Sequence, residues 1–177
     1  MYKRFLIKDN KVLLYDKIFF STFVDPLKTP NLFKKETEYA LRGLIYIQSQ
    51  NSAGRRPGIA EIADEIDAPH FYTAKILQRL AKQGYVESAK GKGGGFSFNA
   101  ELPDLSLKTI ITAIEGNHLF TGCGIGLKEC SCKNPCPIHD QFAPIRESIE
   151  RLVGNETIQS LAKKVSAGDD SVLGRRK

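Results

Sequence analysis

Apolar residues first settle into a helical rhythm at Leu32. Phe33, Tyr39, Ala40, Leu41, Leu44, Ile45 and Ile47 recur at helical spacing through about Gln50, and NSAGRRPG then stops the run. After Pro57, GIAEIADEIDAP places Ile59, Ile62, Ala63 and Ile66 on one face, which predicts a short acidic helix ending at Asp67 before Pro69. A third helix is predicted from about His70 to Gln83. It turns Ile76, Leu77 and Leu80 inward and Tyr72, Thr73, Lys75, Arg79 and Lys82 outward, with Gly84 as its cap. The period then shortens: runs at 85–88 and 96–98 flank AKGKGGG, the pattern of two strands joined by a glycine hairpin.

Further on, SLKTIITAIEG predicts a fourth helix with Leu107, Ile110, Ile111 and Ile114 on its apolar face and Gly116 as its stop. A cysteine-bearing loop follows. Pro137 then suits the first turn of a new helix, whose stripe is Phe142, Ile145, Ile149, Leu152 and Val153. A last short helix is expected from Glu156 to Val165, and the tail SAGDDSVLGRRK reads as disordered. The fold class is therefore mainly α with a small β-wing: a winged helix-turn-helix DNA-binding domain plus a dimerisation helix. The expected divisions are an N-terminal extension (1–31), the winged helix-turn-helix (32–100), a connecting helix (101–117), a cysteine-rich cluster loop (118–139), a dimerisation helix region (140–165) and the disordered tail (166–177). The extension keeps neither period for long and ends at Pro26 and Pro30; it reads equally as a dispensable or overextended start and as an extra strand or helix packed on the domain.

Charge changes this picture by assigning a partner. The chain carries a formal charge of +6, which suits an anionic partner. Its distribution says more, because Glu61, Asp64, Glu65 and Asp67 crowd the second helix, whereas Lys75, Arg79, Lys82, Lys90 and Lys92 face only Glu87 between His70 and Gly95. Phosphates repel the second helix and attract the third, so the third is expected in the major groove of double-stranded DNA. Tyr72, Thr73, Lys75, Arg79 and Lys82 are its expected contacts. Lys90 and Lys92 supply cations at the wing, and Gly93 and Gly94 let that hairpin approach the duplex closely. No apolar run approaches the roughly 20 residues that span a bilayer, and charges interrupt any signal-peptide core in the first thirty residues, so a soluble cytoplasmic protein is expected.

All four cysteines, Cys123, Cys130, Cys132 and Cys136, fall in the one loop, with His139 just beyond. Thiolates are soft ligands that favour zinc or iron-sulfur clusters over hard cations, and a glycine-rich loop can gather them. A disulfide is the rival, disfavoured in a reducing compartment. At the start of a helix opened by Pro137, Cys136 is expected to have its thiol pKa lowered by the helix dipole. Enzyme chemistry lacks support: there is no CxxC motif, no phosphate-cradling loop followed by Lys-Ser/Thr, and no carboxylate pair linked to the cysteines.

The segments LFKKETEYALRGLIYI, FYTAKILQRLAKQGYVESAKGKGGGFSF and LSLKTIITAIEG, followed by the cysteine loop, stand in the order found in the Rrf-two family of winged-helix transcription regulators, which the chain resembles from about Leu32 to Val165. The resemblance implies a homodimer on a partly palindromic operator, with an iron-sulfur cluster whose state alters DNA affinity in response to iron-sulfur status, redox state or nitric oxide. It places the cluster cysteines at Cys123, Cys130 and Cys136, with the first gap one residue longer than in the family's iron-sulfur cluster regulators, and it leaves Cys132 as an addition. His139 matches the family's arrangement of three cysteines and one histidine on a 2Fe-2S cluster, with 4Fe-4S as the other nuclearity; Cys132 and Glu38, the latter from the partner subunit, are alternative fourth ligands. A structural zinc site and a cluster-free thiol redox switch are the competing readings of the same loop. Because a winged-helix core is closed by its own helices, the Phe142-to-Val153 stripe is expected at the dimer interface rather than packed back on its own domain.

Overall fold

The structure, a computed structural model, describes residues 31–167 and Leu173. The expectations for the N-terminal extension and for the tail beyond Ala167 lie outside these residues, Leu173 aside. In the described part the chain forms α1 (Lys35–Ser52), α2 (Ile59–Glu65), α3 (His70–Lys82), β1 (Glu87–Ala89), β2 (Gly95–Ser97), α4 (Leu107–Glu115), α5 (His118–Thr121), α6 (His139–Asn155) and α7 (Ile158–Ser166). It is mostly helical, with one small antiparallel sheet, as its winged-helix pattern requires. No described helix is long and apolar enough to cross a membrane.

The core is built around α1. Ala40, Leu44 and Ile47 of α1, Ile62 of α2, Leu80 of α3 and Ile110 and Ile111 of α4 are wholly buried together. Each large side chain among them contributes roughly 1.5–3 kcal/mol of burial. The turn out of α3 is built on Gly84, which takes φ +80° so that the Tyr85 N–H reaches the Leu80 carbonyl at 3.0 Å. A residue with a Cβ resists that left-handed geometry, so glycine ends the helix and aims the chain into the wing. There β1 and β2 pair antiparallel in the register Glu87 with Ser97, Ser88 with Phe96 and Ala89 with Gly95. The exposed face of this hairpin is β1; Phe96 and Ser97 of β2 are buried.

Two side-chain caps join distant parts of the chain. Ser106 accepts from the Thr109 N–H at the start of α4, and Thr157 forms a reciprocal capping box with Ser160 at the start of α7. Between them the backbones exchange hydrogen bonds, Leu107 N–H to the Glu156 carbonyl at 3.0 Å and Ile158 N–H to the Leu105 carbonyl at 2.9 Å. This clip returns α7 onto α1, with Ile158 and Ala162 in the common core. The last helix of the region expected to dimerise therefore closes its own domain.

The stripe on α6 divides in the same way. Val153 is buried and Ile149 packs against the core, whereas Ile145 and Leu152 remain 56% and 61% exposed. Spacings of three and four residues merge two faces of the helix into one when read from sequence alone. The short α5 has no counterpart among the expected elements; it lies within the segment expected to be cysteine loop, and its Phe120 joins the core.

Candidate metal centre and nucleic-acid interface

Three sulfurs meet at the end of α5. The Sγ atoms of Cys123, Cys130 and Cys136 all lie within 4.8 Å of one another, and among the described residues this is the one group of three such donors able to share an ion. Cys123 and Cys136 are 3.6 Å apart. His139 is buried against the group: its Nδ1 is 3.2 Å from Cys130 Sγ, and its Nε2 is 3.7 Å from the exposed Cys132. The imidazole thus lies between the two thiols of the Cys-Ser-Cys segment. A tight turn holds that segment, with Ser131 and Asn134 exchanging backbone hydrogen bonds of 3.0 and 3.1 Å. Glu38 is not among these donors; in α1 it is ion-paired with Lys35 at 2.6 Å. Three thiols with one imidazole fit a zinc ion or an iron-sulfur cluster and suit hard cations poorly.

The thiols differ in acidity, in the reverse of the expected sense. Backbone hydrogen bonding at Ile125, then at Leu127, draws the Cys123 thiol down to about 7, helped by the neighbouring thiols. Cys136 is raised instead, first by burial and also by its sulfur neighbours, against a lowering contact at Ile138. The helix-dipole argument fails for Cys136 because α6 begins only at His139. Pro137 and Ile138 form a separate turn, closed by the His139 N–H on the Cys136 carbonyl at 2.9 Å, so Cys136 stands outside the helical end.

The loop is fastened to α6, and α6 in turn to α4. Arg146 of α6 donates to the Gly122 carbonyl at 2.9 Å, and the Phe142 ring stands so close to Gly124 that a Cβ there would meet it at 3.0 Å. Lys108 of α4 pairs with Glu150 of α6 at 2.6 Å and lies over the Phe120 ring. At its far end α4 is held to the DNA-binding half. The Lys34 N–H donates to Glu115, and Arg79 of α3 donates to both the Ala113 carbonyl and Glu36, at 2.8 and 2.9 Å.

Among the expected DNA contacts, burial removes Thr73. Arg79 stays exposed while bridging α3 to α1 and α4. Thr73 is only 2% exposed, and its hydroxyl is buried without a hydrogen-bond partner. It lies at spacings of three, four and seven from Ile76, Leu77 and Leu80, so it belongs to the inward face. Tyr72 is half-buried edge-on against Tyr39. Lys75 and Lys82 are of α3, Lys90 and Lys92 of the wing, and none of the four makes an ion pair among the described residues. Such exposed cations are available to phosphate. Of the acids of α2, Glu61 is ion-paired with Arg55 at 2.6 Å, and Asp64 is hydrogen-bonded to the His70 ring at 2.7 Å.

The wing's glycines also acquire a different explanation. A Cβ at Gly94 would lie 2.4 Å from the Ala89 carbonyl oxygen, so this glycine closes the hairpin itself. The base of the wing is anchored by contacts that sequence reading missed. Phe96 N–H bonds the Pro57 carbonyl at 3.0 Å, and the Asn51 amide spans the Arg55 and Phe96 carbonyls and the Phe98 N–H. This seats exposed Arg56, read from sequence only as part of a helix stop, beside the wing as a further cation with no ion pair among the described residues.

Known proteins share this sequence pattern and this fold. The profile of the Rrf2 family, described as iron-dependent transcriptional regulators, matches residues 33–164. A curated protein of Aquifex aeolicus, named as an HTH-type transcriptional regulator, is 29% identical over 73% of this chain and 90% of its own length. The regulator IscR of Yersinia pseudotuberculosis is 26% identical over 70% of this chain and 74% of its own length. Two solved structures share the fold at 20% identity. CymR, the global cysteine regulator of B. subtilis, has a TM-score of 0.61 over 74% of this chain and 95% of its own, and T. potens IscR has 0.58 over 79% and 89%. With its winged helix and the three gathered cysteines now on view, the chain belongs to the Rrf2 family of transcriptional regulators, whose members are not enzymes.

Proposed function

We propose that this regulator binds a double-stranded DNA operator as a homodimer in the cytoplasm, and that its affinity is set by an iron-sulfur cluster reporting iron-sulfur status, redox state or nitric oxide. The observation that carries this reading is the convergence of Cys123, Cys130 and Cys136, with His139 against Cys130, in a loop fastened to α6 and linked through α4 to α3. These four residues hold the cluster, 2Fe-2S in preference to 4Fe-4S. When bound, it supplies a centre sensitive to oxidation and nitrosylation. The chain's own part is to order the loop, press Phe142 and Arg146 against it, and hold the end of α4 through Glu115 and Ala113 where Arg79 steadies α3. Outward Ile145 and Leu152 on α6 form the self-complementary contact between two subunits.

Chelation of the metal under anaerobic conditions is expected to change affinity for a selected DNA sequence by about 5- to 150-fold, the ordinary range of coupling between sites. Equal affinities before and after removal would sink the sensing reading while leaving DNA binding intact. Lys75 and Lys82 of α3 and Lys90 and Lys92 of the wing meet the phosphates. In a Lys90→Ala, Lys92→Ala double variant the salt dependence of binding should become shallower by about 0.9 for each phosphate that the wing no longer neutralises, and an unchanged slope removes the wing from the interface. The same donors also suit tetrahedral zinc; a colourless, zinc-bearing protein would put a structural zinc site in place of the cluster.

A further inference from the structure

We infer that Phe71, in the first turn of α3, reads a thymine methyl group in the major groove and so contributes sequence specificity. The inference rests on the DNA-binding reading above and adds a specificity residue to it. Phe71 is 85% exposed, the most exposed of the large hydrophobic residues in the described part of the chain. A phenyl ring left in water gains nothing from folding, and a ring covered by a partner gains its burial at that moment.

Three observations identify what covers it. The first is its company: Phe71, Lys75, Gln78 and Lys82 follow at spacings of four, three and four, so they form one outward face opposite Thr73, Ile76, Leu77 and Leu80. The second is charge. Lys75 and Lys82 have no ion pair among the described residues, so the surface around the ring suits a polyanion rather than an apolar protein face. The third is position. His70, directly before Phe71, is hydrogen-bonded to Asp64 of α2 at 2.7 Å, which fixes the start of α3 against the preceding helix. In a helix-turn-helix the N-terminal residues of the second helix meet base edges. Among the groups displayed by base pairs in the major groove, the thymine C5-methyl is the apolar one, and a phenylalanine matches it by contact alone. Gln78, farther along the same face, has an amide able to pair with a base edge.

The test uses the full-length, anaerobically purified protein and a randomised double-stranded DNA pool. Wild-type protein should enrich a sequence with a thymine at a fixed place in each half-site. Replacing that thymine by deoxyuridine removes only the methyl and should weaken wild-type binding roughly tenfold, the equivalent of about 1.4 kcal/mol. Phe71→Ala should bind the enriched sequence more weakly and lose sensitivity to the replacement, while keeping the wild-type salt slope, since every phosphate-neutralising cation is still present. Phe71→Leu should retain part of the sensitivity. Because the ring is exposed, the variants should unfold at the wild-type temperature, and a variant that does not is replaced by Phe71→Met in the same comparison. The inference is overturned if wild-type binding ignores deoxyuridine at every thymine, or if Phe71→Ala remains as sensitive as wild type. Failure of the wild-type protein to enrich any sequence is a different result, and it counts against operator recognition itself.

Discussion

Cys136→Ala, purified without exposure to oxygen, is expected to retain neither iron nor acid-labile sulfide, whereas Cys132→Ala retains both. Cys136 is the buried member of the sulfur group, 7% exposed and 3.6 Å from Cys123, so its loss takes one of three converging donors from the interior of the site. Cys132 is exposed and meets the group only across the His139 ring, at 3.7 Å from Nε2. His139→Ala should fall between these two, because it removes a single nitrogen donor and leaves the three thiols in place. Metal and sulfide analysis, with visible absorption, separates the three variants. If Cys136→Ala kept the wild-type content and Cys132→Ala lost it, the ligand set would have to be redrawn around the exposed thiol.

Gly95→Ala is expected to be the most damaging single methyl in the DNA-binding half. A Cβ at this position would stand 2.4 Å from the Arg56 carbonyl oxygen and 2.8 Å from that of Pro57, and the glycine sits at φ +135°. These neighbours are backbone, so no side chain can swing aside. The wing must lift, breaking the Phe96 to Pro57 hydrogen bond and pulling the Asn51 amide from Phe96 and Phe98. Overpacking of this kind costs about 1–3 kcal/mol, and backbone strain is of similar size. The expected result is a lower unfolding temperature, weaker DNA binding and a shallower salt slope, with iron content unchanged. Gly93→Asn is the control. Gly93 has φ +80°, a region asparagine tolerates, and nothing lies within 4 Å of its added Cβ, so this variant should unfold at nearly the wild-type temperature. Equal stability of Gly95→Ala and wild type would show that the wing is not seated on the loop at Arg56.

The helices are legible in the sequence because their apolar periods are strong, and the turn after α3 because glycine there has a specific geometric task. The departures have a common origin: residue type speaks louder than position. As a polar residue Thr73 reads as outward, although its spacing from Ile76, Leu77 and Leu80 puts it inside; Phe71 escapes notice as apolar, although its spacing from Lys75 puts it outside. The bridge that exposed Arg79 makes to Glu36 and the Ala113 carbonyl goes unread because these partners lie 43 and 34 residues away in sequence, beyond any local pattern. The anchoring of the wing by Asn51 is equally long-range. In the cysteine loop, spacing and resemblance name the donors that converge, yet they give no sign that Cys123 is the acidic thiol and Cys136 the buried one. That difference depends on the backbone N–H groups the folded loop turns toward Cys123 and on how deeply it buries Cys136.

Iron and acid-labile sulfide measured on freshly isolated, never-aerated protein, alongside zinc, test the central claim most directly. Iron and sulfide in comparable amounts, with visible absorption that disappears on chelation, are the predicted result. Protein devoid of both after attempted reconstitution, or occupied by zinc alone, would contradict it.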